Sequence, residues 1–204
     1  MTLLDLRFKK KFSVSVFCGS RPGKNPAYRK VTAETGKLLA ENDMRLVFGG
    51  GGTGLMGVLA RAALDNGGEV YGVSEYVVAT FEEPLKEILS RIAPDIQKRK
   101  REFIDHSDAF IILPGSFGTI DELLDVILGK YIVDRHQRYA KHKKYKEDRP
   151  IIIVNTNGYY DLFVKLVRHV IAEGFSLKDD LKLFKVVKTP KEAISLVKAW
   201  RDGK

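Results

Sequence analysis

The chain has 204 residues, of which 44% are hydrophobic and 30% charged, a balance typical of a globular domain with its own core. No apolar run reaches the roughly 18 residues that a membrane helix needs, and the N-terminal residues lack the apolar core of a signal peptide. We therefore expect a cytoplasmic protein without a membrane partner. The single cysteine, Cys18, excludes an intramolecular disulfide and fits a reducing compartment.

The formal net charge of +9 is concentrated in part of the chain. Residues 135–149 hold seven Lys or Arg against two acids, and they interrupt the regular pattern as a basic excursion. Residues 1–11 end in three lysines and are interpreted as a basic N-terminal arm. The attraction of the remaining surface to polyanions is therefore weaker than the net charge suggests.

Short β-rich runs alternate with amphipathic runs from residue 12 onward. Asn25 and Pro26 are typical of the cap and first position of a helix. Within residues 75–95 the pattern is ambiguous, since 76–79 fits a strand or a loop and 82–84 breaks any regular element. Predicted strands lie at 12–17, 44–48, 69–73, 109–113, 151–154 and 183–187, and predicted helices at 26–42, 55–66, 96–106, 119–133, 159–172 and 190–200. This order predicts an α/β fold, a Rossmann-like doubly wound parallel sheet flanked by helices, as a single domain over 12–204.

Glycine-containing loops follow three of the predicted strands, at 18–23, 49–54 and 114–118. Because ligands of such sheets bind at the carboxyl ends of the strands, three loops on one sheet predict a phosphate-bearing ligand. The alternative is that the glycines only permit tight turns and close packing, which suits Gly67 and Gly68. The 49–54 loop matches Gly-x-Gly-x-x-Gly but follows the second strand and lacks the acidic residue expected on the next one, so a nicotinamide or flavin cofactor is disfavoured.

The third loop lies between a buried strand ending near Leu113 and a helix predicted from Thr119. Helix N-terminal N–H groups lack internal partners, so this unit predicts an anion site that Gly115 and Gly118 let a ligand approach closely. Asp121 and Glu122 lie in the first turn of the predicted helix. They could act in chemistry, or they could only stabilise the helix dipole.

Basic residues precede this strand at positions 98–101. One arginine aimed into the cleft could hold a phosphate or a leaving group, whereas the alternative is a solvated helix face. Four consecutive helix positions sweep nearly a full turn, so some must point outward. No metal site is expected, because the four histidines lack ligand spacing, and Cys18 suits a small buried residue as well as a nucleophile.

Three motifs taken together resemble the LONELY GUY (LOG) family, long mislabelled as lysine decarboxylases. Their order and spacing carry the resemblance, which continues through Asn155-x-x-Gly158-Tyr159-Tyr160-Asp161 and the last helix. The motifs are Cys18-Gly19-Ser20-x-Pro22-Gly23-x-Asn25-Pro26, then Val47-Phe48-Gly49-Gly50-Gly51-x-x-Gly54-Leu55-Met56-Gly57, and finally Arg99-Lys100 followed by Pro114-Gly115-Ser116-Phe117-Gly118-Thr119-Ile120-Asp121-Glu122.

The resemblance implies a Rossmann-like homodimer that hydrolyses the N-glycosidic bond of nucleoside 5′-monophosphates at its dimer interface. The family's named substrates are cytokinin riboside 5′-monophosphates, and it uses no metal or redox cofactor. Carried over to this sequence, Arg99 and Glu122 form the catalytic pair. The implied substrate-binding residues are Ser20, Glu82 (with Glu83 competing for the same role), Lys100, Gly115, Ser116, Phe117, Gly118, Thr119 and Asp121.

The sequence departs from the family pattern at several positions. Ser116 stands where the family has glycine, which requires a negative φ. Ile96-Gln97, with Lys98 after them, replace a Met-His pair before the Arg-Lys pair, and Leu128-Gly129 replace a Thr-Trp pair near the base pocket. We therefore expect the phosphate and ribose to be handled as in the family, on a purine nucleotide with or without an N6 substituent.

Two alternatives belong to other functional classes. One is a non-catalytic nucleotide or cofactor carrier, because the same fold occurs in proteins resembling molybdenum-cofactor carriers. A carboxylate at Glu122 beside an anion gives such a carrier no advantage. The other is a nucleic-acid-binding module that uses 98–101 and 135–149. A solvated excursion explains the second segment better, so nucleic acid is not an expected partner.

Overall fold

The computed structural model describes residues 11–81, 85, 88–135 and 148–203. Within these ranges, seven strands form one parallel sheet in the order β4-β3-β2-β1-β5-β6-β7. The strands are β1 Ser13–Phe17, β2 Arg45–Phe48, β3 Val70–Glu75, β4 Leu89–Ala93, β5 Ala109–Ile112, β6 Ile151–Val154 and β7 Lys185–Val187. The helices are α1 Pro26–Glu41, α2 Gly54–Asp65, α3 Tyr76–Phe81, α4 Ile96–Asp105, α5 Phe117–Arg135, α6 Asp161–Ala172 and α7 Pro190–Asp202, with short 3-10 turns at Thr156–Gly158 and Lys178–Leu183.

The buried apolar side chains divide into two clusters, one on each face of the sheet. Helices α1, α2 and α7 cover the first cluster, whereas α4 and α5 cover the second and α6 packs beside them. Strand β1 shows the alternation, since Val14 and Val16 contribute to the first cluster and Phe17 to the second. The predicted doubly wound parallel fold is therefore confirmed.

The direction of winding reverses between β1 and β5. From β1 the sheet grows outward through β2 to β4, and the chain then returns to add β5, β6 and β7 on the other side. Val14 and Phe17 pair with Ala109 and Ile112, so the two central strands end side by side. In open parallel sheets this switch point forms the crevice in which ligands bind.

Several predicted elements differ from the structure. Residues 76–81 form helix α3 rather than a strand or loop, and β4 was not predicted. Among the described strands, β4 pairs with β3 alone and is exposed at Leu89 to Ile92, so it lacks the buried apolar run that predicts a strand. Helix α5 begins at Phe117 rather than Thr119, which places Asp121 and Glu122 beyond its first turn.

Other predictions hold or lie outside the described residues. Asn25 caps α1, since its side chain accepts from the Ala27 N–H, and Pro26 follows it. Gly67 adopts a φ of 75°, and a Cβ on Gly68 would lie 2.8 Å from the Cβ of Ala40, so tight turning and packing explain both glycines. The basic arm and the basic excursion lie mostly in 1–10 and 136–147, outside the described ranges, and stay predictions. No helix in the described part of the chain is long and apolar enough to cross a membrane.

Candidate active site

The three glycine loops meet at the carboxyl edge of the sheet. The Gly19 N–H, after β1, donates to the Pro114 carbonyl, after β5, at 3.1 Å. A Cβ on Gly54, in the loop after β2, would lie 1.9 Å from the Ser20 carbonyl oxygen, and its φ is +57°. Only a glycine allows this contact, because any side chain would collide with the neighbouring loop. The predicted convergence of the loops is confirmed.

The loop from Pro114 to the start of α5 presents its backbone N–H groups. The first hydrogen bond of this helix end runs from the Ile120 N–H to the Ser116 carbonyl at 3.0 Å. Within the described part of the chain, the backbone N–H groups of 115–119 donate no hydrogen bond to another residue. Positive φ angles among the described non-glycine residues occur at Asp43 and Asn157, so Ser116 has the negative φ that its replacement of glycine requires. The loop therefore offers a set of N–H donors suited to an anion.

Gly115 and Gly118 are glycines for different reasons. A Cβ on Gly115 would lie 2.1 Å from Thr119 Oγ1 and 2.8 Å from the Gly19 backbone nitrogen, so the protein itself fills that space. A Cβ on Gly118 would meet nothing within 4 Å. Packing therefore requires Gly115, whereas no packing contact in the described part of the chain requires a glycine at 118.

Arg99 is buried beneath the loops, with 8% of its surface exposed. Its Nε donates to the Val73 carbonyl at 3.0 Å, and Nη2 lies 3.5 Å from the Gly49 carbonyl. The guanidinium carbon stands 5.1 Å from the ring centroid of Phe103. The guanidinium plane is thus held from three sides, by a carbonyl after β2, a carbonyl of β3 and an aromatic ring of α4.

Glu122 of α5 pairs with this guanidinium. Nη1 of Arg99 lies 3.4 Å from Oε1 of Glu122, and the two side chains are 10% and 11% exposed. A buried carboxylate is costly unless a cation partners it, and the Arg99 guanidinium supplies that partner. The structure therefore brings together the two residues predicted to form the catalytic pair.

Two cavities flank the loop at 114–118. The smaller, about 270 Å³, contains the Arg99–Glu122 pair. The larger, about 550 Å³, opens beside Tyr28 and Tyr159. Ser20 and Ser116 line both cavities, so the loops after β1 and β5 separate them.

The other predicted site residues are distributed around this centre. Gly118 and Thr119 line the smaller cavity, and Gly115 and Phe117 the larger, where Phe117 is 90% exposed. Glu82 lies outside the described residues, so its role stays a prediction.

Lys100 and Asp121 pair with each other and line neither cavity. Nζ of Lys100 is 3.2 Å from the Asp121 carboxylate and 3.8 Å from Asp125. In the basic run at 98–101, Arg99 and Lys100 are buried, whereas Lys98 is exposed and Arg101 half-buried. The expectation that part of this run points outward is confirmed, and its buried members are bound to carboxylates.

Sequence reasoning gave no site role to several residues here. Strand β3 extends to Glu75, a carboxylate with 8% exposure on the same face of the strand as Val73, whereas the predicted strand ended at Val73. Tyr159 and Tyr160 donate hydrogen bonds to the carbonyls of Gly115 and Leu113. The motif containing both tyrosines is visible in the sequence, but their contact with the loop is a tertiary one.

A doubly wound sheet with three converging loops, a helix start with free-standing N–H donors and a buried Arg–Glu pair defines the class: an α/β protein with a candidate site at its switch point. Comparison with known proteins narrows this class. The family model described as "Possible lysine decarboxylase", the historical label of LOG proteins, matches residues 56–197. The chain belongs to the LOG family.

Two plant relatives show the extent of the similarity. The cytokinin riboside 5′-monophosphate phosphoribohydrolase LOG of Oryza sativa subsp. japonica is 34% identical over 184 residues, which cover 89% of this chain and 70% of the relative. The cytokinin riboside 5′-monophosphate phosphoribohydrolase LOG3 of Arabidopsis thaliana is 33% identical over 196 residues, covering 94% of this chain and 85% of the relative.

A solved structure shares the fold at much lower identity. The molybdenum cofactor binding protein from Rippkaea orientalis superposes with a TM-score of 0.65 at 18% identity, covering 94% of this chain and 98% of the other. This likeness concerns the fold alone.

Proposed function

We propose that this protein hydrolyses the N-glycosidic bond of a purine nucleoside 5′-monophosphate, with or without an N6 substituent, to the free base and ribose 5-phosphate. The observation that carries the proposal is the buried Arg99–Glu122 pair, 3.4 Å apart, in the cavity that also contains the start of α5. Family membership supports the same reaction, since the plant relatives are named as phosphoribohydrolases.

The phosphate binds at the N–H groups of 115–119, where the start of α5 supplies donors and a positive helix end. This contact is remote from the bond that breaks, so its binding energy serves to position the ribose. Thr119 supports this role, since it is 3% exposed and lines the cavity that contains Arg99 and Glu122.

Glu122 acts at the ribose. As the bond from C1′ to the base nitrogen breaks, its electron pair leaves with the base and positive charge develops on the sugar. The carboxylate stabilises this charge and orients the water whose oxygen forms the new bond to C1′. In the net reaction, the water supplies a hydroxyl to the ribose and a proton to the departing base. Arg99 holds Glu122 in place through their ion pair.

The protein acts as a homodimer in this proposal. Leu124, Leu128 and Ile132 are 49%, 54% and 43% exposed at successive i, i+4 positions of α5, the helix that carries Glu122. Such a stripe of apolar side chains fits the same surface of a second copy. The resemblance to the LOG family implies a site at the dimer interface, and this stripe connects that interface to Glu122.

The decisive experiment incubates the protein with AMP and with N6-isopentenyl-AMP and measures free base and ribose 5-phosphate. We expect base release by the unchanged protein, reduced roughly 10²- to 10⁴-fold by Glu122→Gln and by Arg99→Ala. Glu173→Gln is the matched control, because this glutamate is exposed on the surface beyond α6.

Release from neither nucleotide, or equal release by Glu122→Gln, would refute the hydrolase. The carrier alternative predicts that nucleotide binds without turnover and that Glu122→Gln leaves affinity unchanged. A nucleic-acid-binding function has less support, because two of the four residues at 98–101 are buried against carboxylates.

A further inference from the structure

The segment from Asn155 to Asp161 folds into a fixed turn behind the loop at 114–118. The Asn155 side chain accepts from the Tyr160 N–H at 2.7 Å and donates to Asp161 Oδ1 at 2.7 Å. Asn157 and Gly158 both have positive φ angles, 52° and 72°. These contacts explain the spacing Asn-x-x-Gly-Tyr-Tyr-Asp, since each end of the turn is tied to the other.

The turn presents two adjacent tyrosines to the loop. The buried Tyr160 hydroxyl donates to the Leu113 carbonyl at 2.7 Å, and the Tyr159 hydroxyl donates to the Gly115 carbonyl. The carbonyl between them, that of Pro114, accepts from the Gly19 N–H. Three consecutive carbonyl groups of the loop therefore have partners inside the protein.

This arrangement fixes where the N–H groups point. The peptide bonds are trans, so the N–H of each unit points opposite to its carbonyl. Holding the Gly115 carbonyl against Tyr159 turns the Ser116 N–H away from that tyrosine. Likewise, holding the Pro114 carbonyl against Gly19 turns the Gly115 N–H away from the loop after β1. Tyr159 lines the larger cavity, whereas Ser116 also lines the smaller one with Arg99 and Glu122.

We propose that Tyr159 is a positioning residue that holds the Gly115 carbonyl and so presents the Ser116 N–H to the substrate phosphate. Tyr160 anchors the preceding Leu113 carbonyl, but this peptide unit carries no N–H because its nitrogen belongs to Pro114. The inference rests on the proposed function for the identity of the substrate. It assigns Tyr159 a role in phosphate recognition specifically, and none in breaking the glycosidic bond.

The two tyrosines differ in a way that helps the test. Tyr160 is 2% exposed, and burial, with smaller contributions from Tyr159, Cys18 and Glu122, raises the pKa of its phenol, so it stays a donor. Tyr159 is 39% exposed, so removing its hydroxyl does not leave a polar group buried without a partner beside the ring. Tyr159→Phe therefore tests the role without a risk to folding.

The experiment compares AMP with adenosine, which lacks the phosphate, in Tyr159→Phe and Tyr160→Phe proteins. We expect kcat/KM for AMP to fall roughly tenfold in Tyr159→Phe, about the effect of one hydrogen bond, while the much lower kcat/KM for adenosine stays unchanged. Tyr160→Phe should change kcat/KM for AMP and for adenosine by the same factor, because the peptide unit that Tyr160 holds has no N–H. Tyr131→Phe is a further control, since this ring packs from α5 against the core cluster that contains Tyr160. A second measurement, titration calorimetry with ribose 5-phosphate, should show the same tenfold loss of affinity in Tyr159→Phe.

The outcomes separate the two proposals. An equal fall for AMP and adenosine in Tyr159→Phe, or no fall for either, overturns the positioning role while base release by the unchanged protein upholds the hydrolase. Ribose 5-phosphate binding that weakens in Tyr159→Phe, without any base release by the unchanged protein, supports the positioning role and refutes the hydrolase. If the unchanged protein binds no ribose 5-phosphate, the positioning role is refuted as well.

Discussion

The guanidinium of Arg99 occupies the space that a side chain at Gly49 would fill. A Cβ on Gly49 would lie 2.5 Å from Nη2 of Arg99 and 2.8 Å from the sulfur of Met56. The absence of a side chain at the end of β2 is thus what lets the guanidinium lie against the strand ends and reach Glu122. A glycine that looks like part of a phosphate loop in the sequence instead makes room for the arginine.

Gly49→Ala should therefore impair activity more than stability. The added methyl meets the ends of two flexible side chains, so we expect Arg99 to move at a cost of about 1 kcal/mol in the free energy of unfolding. Displacement of the guanidinium should lower kcat/KM roughly 10- to 100-fold. Steady-state kinetics and thermal unfolding measure the two effects, and unchanged kinetics would contradict the relationship.

Gly115→Ala and Gly118→Ala form a matched pair within one loop. The first substitution drives a methyl into Thr119 and the Gly19 backbone, so we expect a loss of about 1–3 kcal/mol in stability together with weaker phosphate binding. The second meets open space and should leave the unfolding temperature unchanged. Thermal unfolding checks both, and equal destabilisation by the two substitutions would show that the loop packing described above is wrong.

The cluster formed by Lys11, Arg45 and Glu69 predicts a dependence of stability on pH. The hydrogen bond from Lys11, with that from Arg45, lowers the pKa of Glu69 from its ordinary value of 4.5. A carboxylate whose pKa is lower in the folded state stabilises the fold above its unfolded pKa, and the contribution is lost as the pH falls through the folded value. We expect Glu69→Gln to be less stable than the unchanged protein at neutral pH.

The difference between these two proteins should shrink as the pH falls below 4.5. Thermal unfolding over a series of pH values measures it, and Glu173→Gln serves as the control on an exposed surface. A difference that is constant with pH would mean that Glu69 contributes through packing rather than charge.

The apolar stripe on α5 predicts the state of assembly. Leu128→Glu places a charge at the centre of the proposed dimer contact and should convert a dimer into a monomer in light scattering, with a loss of activity. Leu196→Glu is a suitable control, because Leu196 is exposed, at 38%, on α7, which covers the opposite face of the sheet from α5. A monomeric unchanged protein, or a mass that Leu128→Glu does not alter, would argue against the stripe as the interface.

The chain order of elements was predictable because each buried strand is a short apolar run bounded by turn residues. The same dependence on burial and length explains why two elements were not predicted. Strand β4 is exposed and has β3 as its single neighbour among the described strands, so burial leaves no signature in its sequence. Helix α3 is six residues long, too short for a helical period to be recognised.

The sequence by itself determined the parallel sheet, the three loops at its carboxyl edge and the family, because these depend on local pattern and on motif order. The resemblance named Arg99 and Glu122 as a pair, but the tertiary structure decided how they meet and which partners the neighbouring charged residues have. Arg99 pairs with Glu122 across 23 positions of sequence, while the adjacent Lys100 pairs with Asp121 and Asp125. Neighbours on a helix point about 100° apart, so only the packing of α4 against α5 separates the residue in the cavity from the one outside it.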